Sequence, residues 1–260
     1  MRKIETNYHT HTYYCGHAGG TVKDYCIEAI KKGIKVIGFS EHAPIARIPG
    51  RMSMDNFKQF LSDIDECKTL FSEQLTILKG LEIEYFRDDI EGMKNLKNEL
   101  DYMIIGAHYY NCGPDMANKS TYSIKTKEQL NEYADYLCEA MKSGLFEFVA
   151  HPDLFMLSYP VFDEECEKIS QKITVCAKEL NLPLELNANG IRRGLTKKPD
   201  GMHYPYPRNE FWEIAQKNGC KVIINSDCHD PKYLLDECMY EAYELASELK
   251  LDLITKIWRL

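Results

Sequence analysis

The 260-residue chain lacks the features that mark several specialised classes of protein. It contains no run of 18 apolar residues, so no segment is predicted to span a membrane and no membrane partner is expected. Its first residues are polar and charged, so no signal peptide is predicted. It has neither a Gly/Ser/Pro-rich linker nor an internal repeat, which favours a single domain over residues 1–260.

The chain also lacks an excess of positive charge. Lys and Arg number 32 against 40 Asp and Glu, which gives a formal net charge of −8. Binding to nucleic acid requires a basic surface, so no nucleic-acid partner is expected, whereas a small anionic ligand fits if bound cations supply positive charge. The ten cysteines include no C-x-x-C pair, which is typical of reduced thiols and predicts a cytoplasmic protein.

Short β-rich runs alternate with longer helical patterns along the chain. The predicted strands cover residues 4–9, 36–40, 77–83, 102–107, 146–150, 184–187 and 222–225. The predicted helices cover residues 22–32, 54–71, 90–99, 127–142, 163–180, 209–217 and about 240–249. This α/β alternation predicts parallel strands covered by helices, and seven units favour a closed or nearly closed (β/α) barrel. An open doubly wound sheet is the alternative, although no G-x-G-x-x-G follows the first strand.

Seven of the eight histidines lie within a few residues of the carboxyl end of a predicted strand. They are His9, His11, His17, His42, His108, His151 and His229. In a parallel barrel these strand ends meet on one face, so we expect the imidazoles to converge. One such histidine is more often a hydrogen-bonded structural residue, but seven at equivalent positions are hard to explain by packing. Imidazoles and carboxylates are typical ligands of divalent transition metals.

Acidic residues complete the pattern. Asp227 is spaced from His229 as the two histidines of the first strand are from each other, which places both side chains on one face. The third strand ends in Glu82 and Glu84, which also share a face, so periodicity does not choose between them. Nine nitrogen and oxygen ligands are too many for one tetrahedral ion and suit two or three metals that share a bridging carboxylate.

Together, these motifs resemble those of the PHP (polymerase and histidinol phosphatase) superfamily, and more closely those of the stand-alone histidinol-phosphatases. The matching blocks are His9-Thr10-His11-Thr12, Cys15-Gly16-His17, Phe39-Ser40-Glu41-His42-Ala43-Pro44, Gly80-Leu81-Glu82, Gly106-Ala107-His108, Ala150-His151-Pro152-Asp153, Glu185-Leu186-Asn187 and Asn225-Ser226-Asp227-Cys228-His229. They follow the family order from residue 4 to residue 231, so the resemblance covers nearly the whole chain.

The resemblance implies a distorted (β/α)7 barrel of the PHP type with a trinuclear metal site. The ligand sets that it implies for the three divalent ions are His9, His11, Glu82 and Asp227; Glu82, His108 and His151; and His17, His42 and His229. It therefore favours Glu82 over Glu84. Zinc, iron and manganese all suit these ligands.

Such a site implies a metal-dependent phosphomonoesterase. The resemblance points to hydrolysis of L-histidinol phosphate to L-histidinol and phosphate, a step of histidine biosynthesis. A hydroxide bridging two metals would attack phosphorus, and Glu82, Asp227 and His229 are the residues expected to carry catalysis. The expected partner is therefore a small phosphorylated metabolite, and no oligomeric state is predicted.

Two arginines are candidates for contacting the phosphate, because a guanidinium donates two parallel hydrogen bonds to phosphate oxygens. Arg192 matches an arginine of the histidinol-phosphatases, and Arg208 is a second candidate; Arg193 is expected to be an exposed neighbour. Relatives often have a basic residue soon after the block at His151, but none occurs here before Lys168, which leaves the exact substrate open.

Two residues inside the matching blocks also carry expectations. Glu41 stands where relatives more often have Asp, and it is expected either to support His42 by hydrogen bonding or to face solvent. Cys228 lies between Asp227 and His229, on the opposite face of the strand, so we expect it to pack in the core rather than bind metal.

Other activities are compatible with parts of the pattern. The main alternative is another PHP-type phosphoesterase acting on a nucleotide, a cyclic phosphodiester or another small phosphoester. Exonuclease activity like that of PHP domains in DNA polymerases fits a short acidic chain less well. A deaminase of the amidohydrolase type would need a lysine at the end of a late strand, and none occurs. A metal-binding domain without turnover is disfavoured because the predicted ligand set is complete.

Overall fold

The computed structural model describes residues 3–48, 51–112 and 119–257. The strands of its main sheet are β1 (Thr6–Asn7), β2 (Val36–His42), β3 (Thr76–Ile83), β4 (Tyr102–Gly106), β5 (Phe148–Ala150), β6 (Leu184–Asn187), β7 (Lys221–Asn225) and β8 (Asp252–Leu253). The helices are α1 (Val22–Lys32), α2 (Met54–Leu70), α3 (Ile90–Lys97), α4 (Lys127–Lys142), α5 (Glu164–Glu179), α6 (Ala188–Arg192), α7 (Asn209–Lys217) and α8 (Glu237–Glu248). Every predicted strand and helix is present, with ends shifted by a few residues.

The eight strands form one parallel sheet in their order along the chain. The sheet curls until β7 returns to β1, where Thr10 forms a parallel bridge with Cys228. The prediction of a distorted (β/α)7 barrel is therefore confirmed. Strand β8 was not predicted; it pairs with the start of β7 over only two residues, which is too short for an alternating pattern to be visible.

Two buried asparagines complete the junction between β1 and β7. The Asn7 side-chain oxygen accepts a hydrogen bond from the Ser226 N–H at 2.7 Å, and that of Asn225 accepts one from the Tyr8 N–H at 2.8 Å. These amides provide the partners that a continuous backbone ladder would otherwise supply to buried N–H groups. The first and seventh strands are thereby fixed next to each other.

Apolar side chains fill two regions. The larger core is formed with the helices, and the smaller one contains Tyr8, Tyr102, Ile104 and Phe148. Ile104 lies beside Glu82 in the register of β3 and β4, so the smaller core shares the inner face of the barrel with that carboxylate. Apolar side chains of the smaller core thus lie next to this buried carboxylate.

Two of the sequence-based expectations concern the cysteines and the helices. All ten cysteines are free thiols and nine are buried, as predicted for reduced thiols. Among the described residues, no helix has the length and apolar character needed to cross a bilayer.

From the close packing of Tyr102 in the smaller core, we predict that Gly80→Ala destabilises the fold. A Cβ at Gly80 would lie 2.3 Å from Cζ of the buried Tyr102, so the tyrosine must shift. Overpacking of this kind costs about 1–3 kcal/mol, which urea-induced unfolding of the variant will measure. Gly19→Ala is the matched control, because its Cβ meets only one atom, at 4.0 Å. Equal stability of the two variants would contradict this description of the smaller core.

Candidate metal centre

The structure brings all nine predicted ligand side chains to the carboxyl end of the barrel. Among the described residues, five groups of three donor atoms lie within 4.8 Å of one another. The groups are His9, His11 and Asp227; His9, Glu82 and His151; His42, Glu82 and His108; His11, His42 and His229; and Cys15, His17 and His229. The overlap between the groups means that a single continuous cluster, rather than separate pairs, occupies this end.

Glu82 lies at the centre of the cluster. Its Oε2 atom is 3.4 Å from Nε2 of both His9 and His11, and its Oε1 atom is 2.9 Å from Nε2 of His151. One carboxylate oxygen thus faces one set of imidazoles and the other oxygen faces a second set. This is the placement expected of a bridging ligand, whereas Glu84 lies outside the centre.

Several buried atoms of the centre have no hydrogen-bond partner. They include Glu82 Oε2 and three nitrogens around it, namely Nε2 of His9, Nε2 of His11 and Nδ1 of His42. A buried polar atom without a partner costs about 1–3 kcal/mol, so four of them in one place indicate a missing partner. Imidazole nitrogens with a carboxylate oxygen are donors that suit zinc, iron or manganese, so these residues fit divalent transition metals.

A second carboxylate contacts the His9 ring on the side facing away from Glu82. Glu185 on β6 is fully buried, and its Oε1 lies 2.8 Å from His9 Nδ1, which leaves Nε2 directed at Glu82. Glu185 also accepts hydrogen bonds from the His151 N–H at 3.1 Å and from the amides of Asn187 and Asn225. Sequence reasoning gave Glu185 no role, although a polar pair alternating along a buried strand was a visible signal.

His151 and Asp227 have unusual backbone conformations. Their φ angles are 31° and 44°, in the left-handed region that residues other than glycine rarely adopt. Strained backbone of this kind persists where surrounding structure enforces it, often at functional sites. His151 directly follows β5, and Asp227 lies two residues after the end of β7. This backbone conformation directs both side chains toward the cluster.

Metals bind deprotonated ligands, and only part of the cluster is deprotonated without them. The carboxylates around His9, His11 and His151 outweigh burial and raise the pKa of these three imidazoles, so a bound metal must displace their protons. Burial alone would raise the pKa of Asp227, but the imidazoles of His9 and His11 outweigh burial and hold that pKa well below its ordinary value. Burial and the neighbouring His11 lower the pKa of His42 well below its usual range and that of His229 to about 3. The carboxylate is therefore ionised, and these two imidazoles are neutral near pH 7.

Glu41 does not face solvent, which was one of its two expected placements. It is fully buried, accepts a hydrogen bond from the Thr12 hydroxyl at 2.6 Å, and accepts one from the His42 N–H at 3.3 Å. Its other close neighbour is the ring of His11, with 3.6 Å between Oε2 and Nδ1. Glu41 therefore supports the His42 backbone and lies behind the His11 imidazole.

A cavity of about 320 Å³ opens onto the cluster. Besides seven of the predicted ligands, its walls contain Tyr122, Leu154, Asn189, Arg192, Arg193, Tyr206 and Tyr233. Sequence reasoning identified only Arg192 among these wall residues as a substrate contact. The three tyrosines come from separate loops, so no spacing in the sequence connects them.

The two adjacent arginines of the wall differ in how many hydrogen bonds they already make to the protein. Arg192 donates to both carboxylate oxygens of Asp236, at 2.8 and 3.1 Å, and to the Ser226 carbonyl at 3.1 Å. Arg193 is exposed, as expected, but it also lines the cavity, and its Nε donates to the Tyr206 hydroxyl at 3.2 Å. Arg192 is largely engaged by the protein, whereas Arg193 has the less committed guanidinium.

Arg208 is placed elsewhere, which corrects the expectation that it contacts phosphate. Its side chain is only 1% exposed and donates to Asp200 at 3.0 Å and to Glu210 at 2.7 Å. It is not among the described residues that line the metal cavity. Two nearby acids therefore draw the guanidinium into a buried structural role. Cys228 is fully buried in the apolar core, as expected of a packing residue.

Comparison with known proteins identifies the family. Residues 7–189 match the PHP domain, so the chain belongs to the PHP domain family. A probable histidinol-phosphatase from Deinococcus radiodurans is 28% identical in an alignment 235 positions long that covers 86% of this chain and 85% of the relative. A probable histidinol-phosphatase from Schizosaccharomyces pombe is 27% identical in an alignment 262 positions long, gaps included, that covers 88% of this chain and 85% of the relative.

A solved structure has the same fold. Histidinol phosphate phosphatase from Lactococcus lactis, crystallised with zinc, L-histidinol and phosphate, superposes with a TM-score of 0.74. The superposition covers 96% of this chain and 95% of the other at 18% sequence identity. The likeness establishes a shared barrel architecture over essentially the entire length.

The position of Glu82 depends on the absence of a side chain at Gly106. A Cβ there would lie 2.2 Å from Glu82 Oε1 and 2.5 Å from its Cγ. We therefore expect Gly106→Ala to displace the carboxylate and to lower the metal content of purified protein by at least half, as measured by elemental analysis. Far-ultraviolet circular dichroism serves as the control for folding. A folded variant with the full metal content would show that Glu82 is not a central ligand.

Proposed function

We propose that this chain is a metal-dependent phosphomonoesterase that hydrolyses L-histidinol phosphate to L-histidinol and phosphate, acting in the cytoplasm as one domain over residues 1–260. The observation that carries the proposal is the ring of partnerless imidazole nitrogens around Glu82 at the floor of a cavity whose wall contains a cationic arginine. The family membership and the names of the relatives support the same activity.

The proposed ligands are those of the three predicted sets. They are His9, His11, Glu82 and Asp227 for one ion; Glu82, His108 and His151 for the second; and His17, His42 and His229 for the third. Divalent cations bound there activate water at neutral pH and offset the negative charge of a phosphoryl group. Glu82, Asp227 and His229 remain the proposed catalytic residues, since all three line the cavity and hold the cluster together.

The cavity wall offers suitable contacts for both the phosphate and the imidazole of the proposed substrate. Arg193 and the Asn189 amide line the cavity and offer hydrogen-bond donors to phosphate oxygens. The Tyr122 ring also lines the cavity, is 44% exposed and is nearly parallel to the His108 ring, with 21° between the planes. A flat imidazole of the leaving alcohol can stack on such an aromatic surface. Phosphate positioning near the cluster is the main task, because phosphoryl transfer needs alignment and charge stabilisation rather than a protein nucleophile.

One observation favours a second candidate substrate class. Among the described residues of the cavity wall, the only carboxylates are Glu82 and Asp227, and both belong to the proposed metal sets. The amino group of histidinol therefore finds no separate acid there. A small phosphomonoester without an amine is accordingly the alternative substrate.

Hydrolysis assays on metal-loaded protein separate these possibilities, with released phosphate measured for the monoesters and the ring-opened monoester measured by chromatography for the diester. The panel comprises L-histidinol phosphate, its analogue without the amino group, a nucleoside monophosphate and a cyclic phosphodiester. The proposal predicts the highest kcat/KM for L-histidinol phosphate. A higher value for the amine-free ester would favour the alternative, and turnover of the diester alone would contradict a monoesterase.

The two adjacent arginines provide a matched pair of variants. We expect Arg193→Ala to raise KM for phosphomonoesters about tenfold with unchanged metal content, because one charge-assisted hydrogen bond to phosphate is lost. We expect Arg192→Ala mainly to lower the unfolding temperature, because it leaves Asp236 without its guanidinium partner. Steady-state kinetics and thermal unfolding distinguish the two effects. A larger KM effect for Arg192→Ala would assign the phosphate to Arg192 instead.

A further inference from the structure

A buried ion pair lies directly behind His108. Glu84 follows the end of β3 and is fully buried, and its Oε1 is 3.3 Å from His108 Nδ1. The same oxygen accepts a hydrogen bond from the guanidinium of Arg51, whose side chain is only 7% exposed. The sequence patterns left Glu84 without a role once Glu82 took the central position.

The contact determines which nitrogen of His108 faces the cluster. A neutral imidazole carries a hydrogen on one nitrogen and a lone pair on the other. A hydrogen on Nδ1, donated to the Glu84 carboxylate, leaves the lone pair on Nε2. His108 Nε2 lies 3.4 Å from Glu82 Oε1, so the lone pair is directed into the cluster.

The arrangement repeats one found across the barrel. His9 has its Nδ1 against the buried carboxylate of Glu185 and its Nε2 directed at Glu82, as His108 has with Glu84. Glu84 differs in having a cationic partner. A buried ion pair gains little net stability, because desolvation of two charges offsets their attraction. Stability alone therefore does not account for placing a full charge pair at this position.

We propose that Glu84 and Arg51 form a positioning pair that fixes the tautomer and orientation of His108 as a metal ligand. Arg51 holds the Glu84 carboxylate in place, and Glu84 in turn orients the imidazole. The inference rests on the proposed function, because it assumes that His108 binds one of the divalent ions. Carboxylates in this position typically raise metal affinity 10- to 100-fold.

The test measures metal retention without any substrate. Zinc-loaded wild-type protein, Glu84→Ala and Glu84→Gln are dialysed and analysed for metal per chain, and the rate of zinc loss to a chelator is followed. We expect Glu84→Ala to lose one ion 10- to 100-fold faster than wild type while the other ions leave at the wild-type rate. Glu84→Gln should lose the same ion at an intermediate rate, because its amide oxygen still accepts from Nδ1–H.

Glu147→Gln is the matched control. Glu147 is a buried glutamate beside Lys97, with 3.4 Å between the charged atoms, and it precedes β5 at the opposite end of the barrel. We expect it to retain every ion at the wild-type rate. Unchanged zinc loss in both Glu84 variants, or equal loss in Glu147→Gln, would overturn the proposal. Because no substrate is used, selective loss in the Glu84 variants supports the positioning role of Glu84 even if wild type hydrolyses no phosphoester.

Discussion

A fully buried carboxylate surrounded by imidazoles is the constraint on which the rest of the molecule depends. Glu82 could not be buried at this depth without partners, because an isolated charge in the protein interior is prohibitively costly. The histidines around it supply part of the compensation, and the donor atoms left unpaired define where cations fit. Gly106 makes room for the carboxylate, so even a residue without a side chain serves this centre.

The imidazoles around Glu82 are supported by an outer layer of acids. Glu185 lies behind His9, Glu84 behind His108 and Glu41 behind His11, and all three carboxylates are buried. His9 and His108 each have one nitrogen bonded to such an acid and the other directed inward, whereas Glu41 lies 3.6 Å from His11 Nδ1 without bonding to it. The outer acids thereby determine the geometry of the inner ligands, as they commonly do at metal sites. The closed barrel makes this possible by joining residues as distant as Tyr8 and Asn225, which are 217 positions apart.

The sequence predicted the strands and the convergence of the histidines because both follow from local rules. Strand and helix periodicity depends on neighbouring residues, and parallel strands necessarily align their carboxyl ends. The choice of Glu82 over Glu84 was beyond periodicity, since both share one strand face, and it came from the resemblance to a family. The structure separates them by their neighbours: Glu82 lies among the imidazoles at the centre, and Glu84 lies behind His108.

What the sequence did not predict depends on contacts between distant segments. Arg208 looked like a phosphate contact by its position, but two acids, one of them Asp200 on a separate loop, hold it in a buried pair. Arg193 and the wall tyrosines meet only because several loops close over the cavity. Strand β8 pairs with β7 over two residues, so its formation depends on the neighbouring strand rather than on a pattern in its own sequence. Which distant segments of the chain contact each other is therefore determined by the complete fold and not by local sequence.

The most direct test of the central claim is a titration of metal-free protein with zinc, in which bound ions per chain and phosphate release from L-histidinol phosphate are measured together. We expect about three ions to bind and hydrolysis, absent at the start, to appear as the sites fill. Hydrolysis by protein that contains no metal, or saturation at a single ion per chain, would contradict a multinuclear centre built around Glu82.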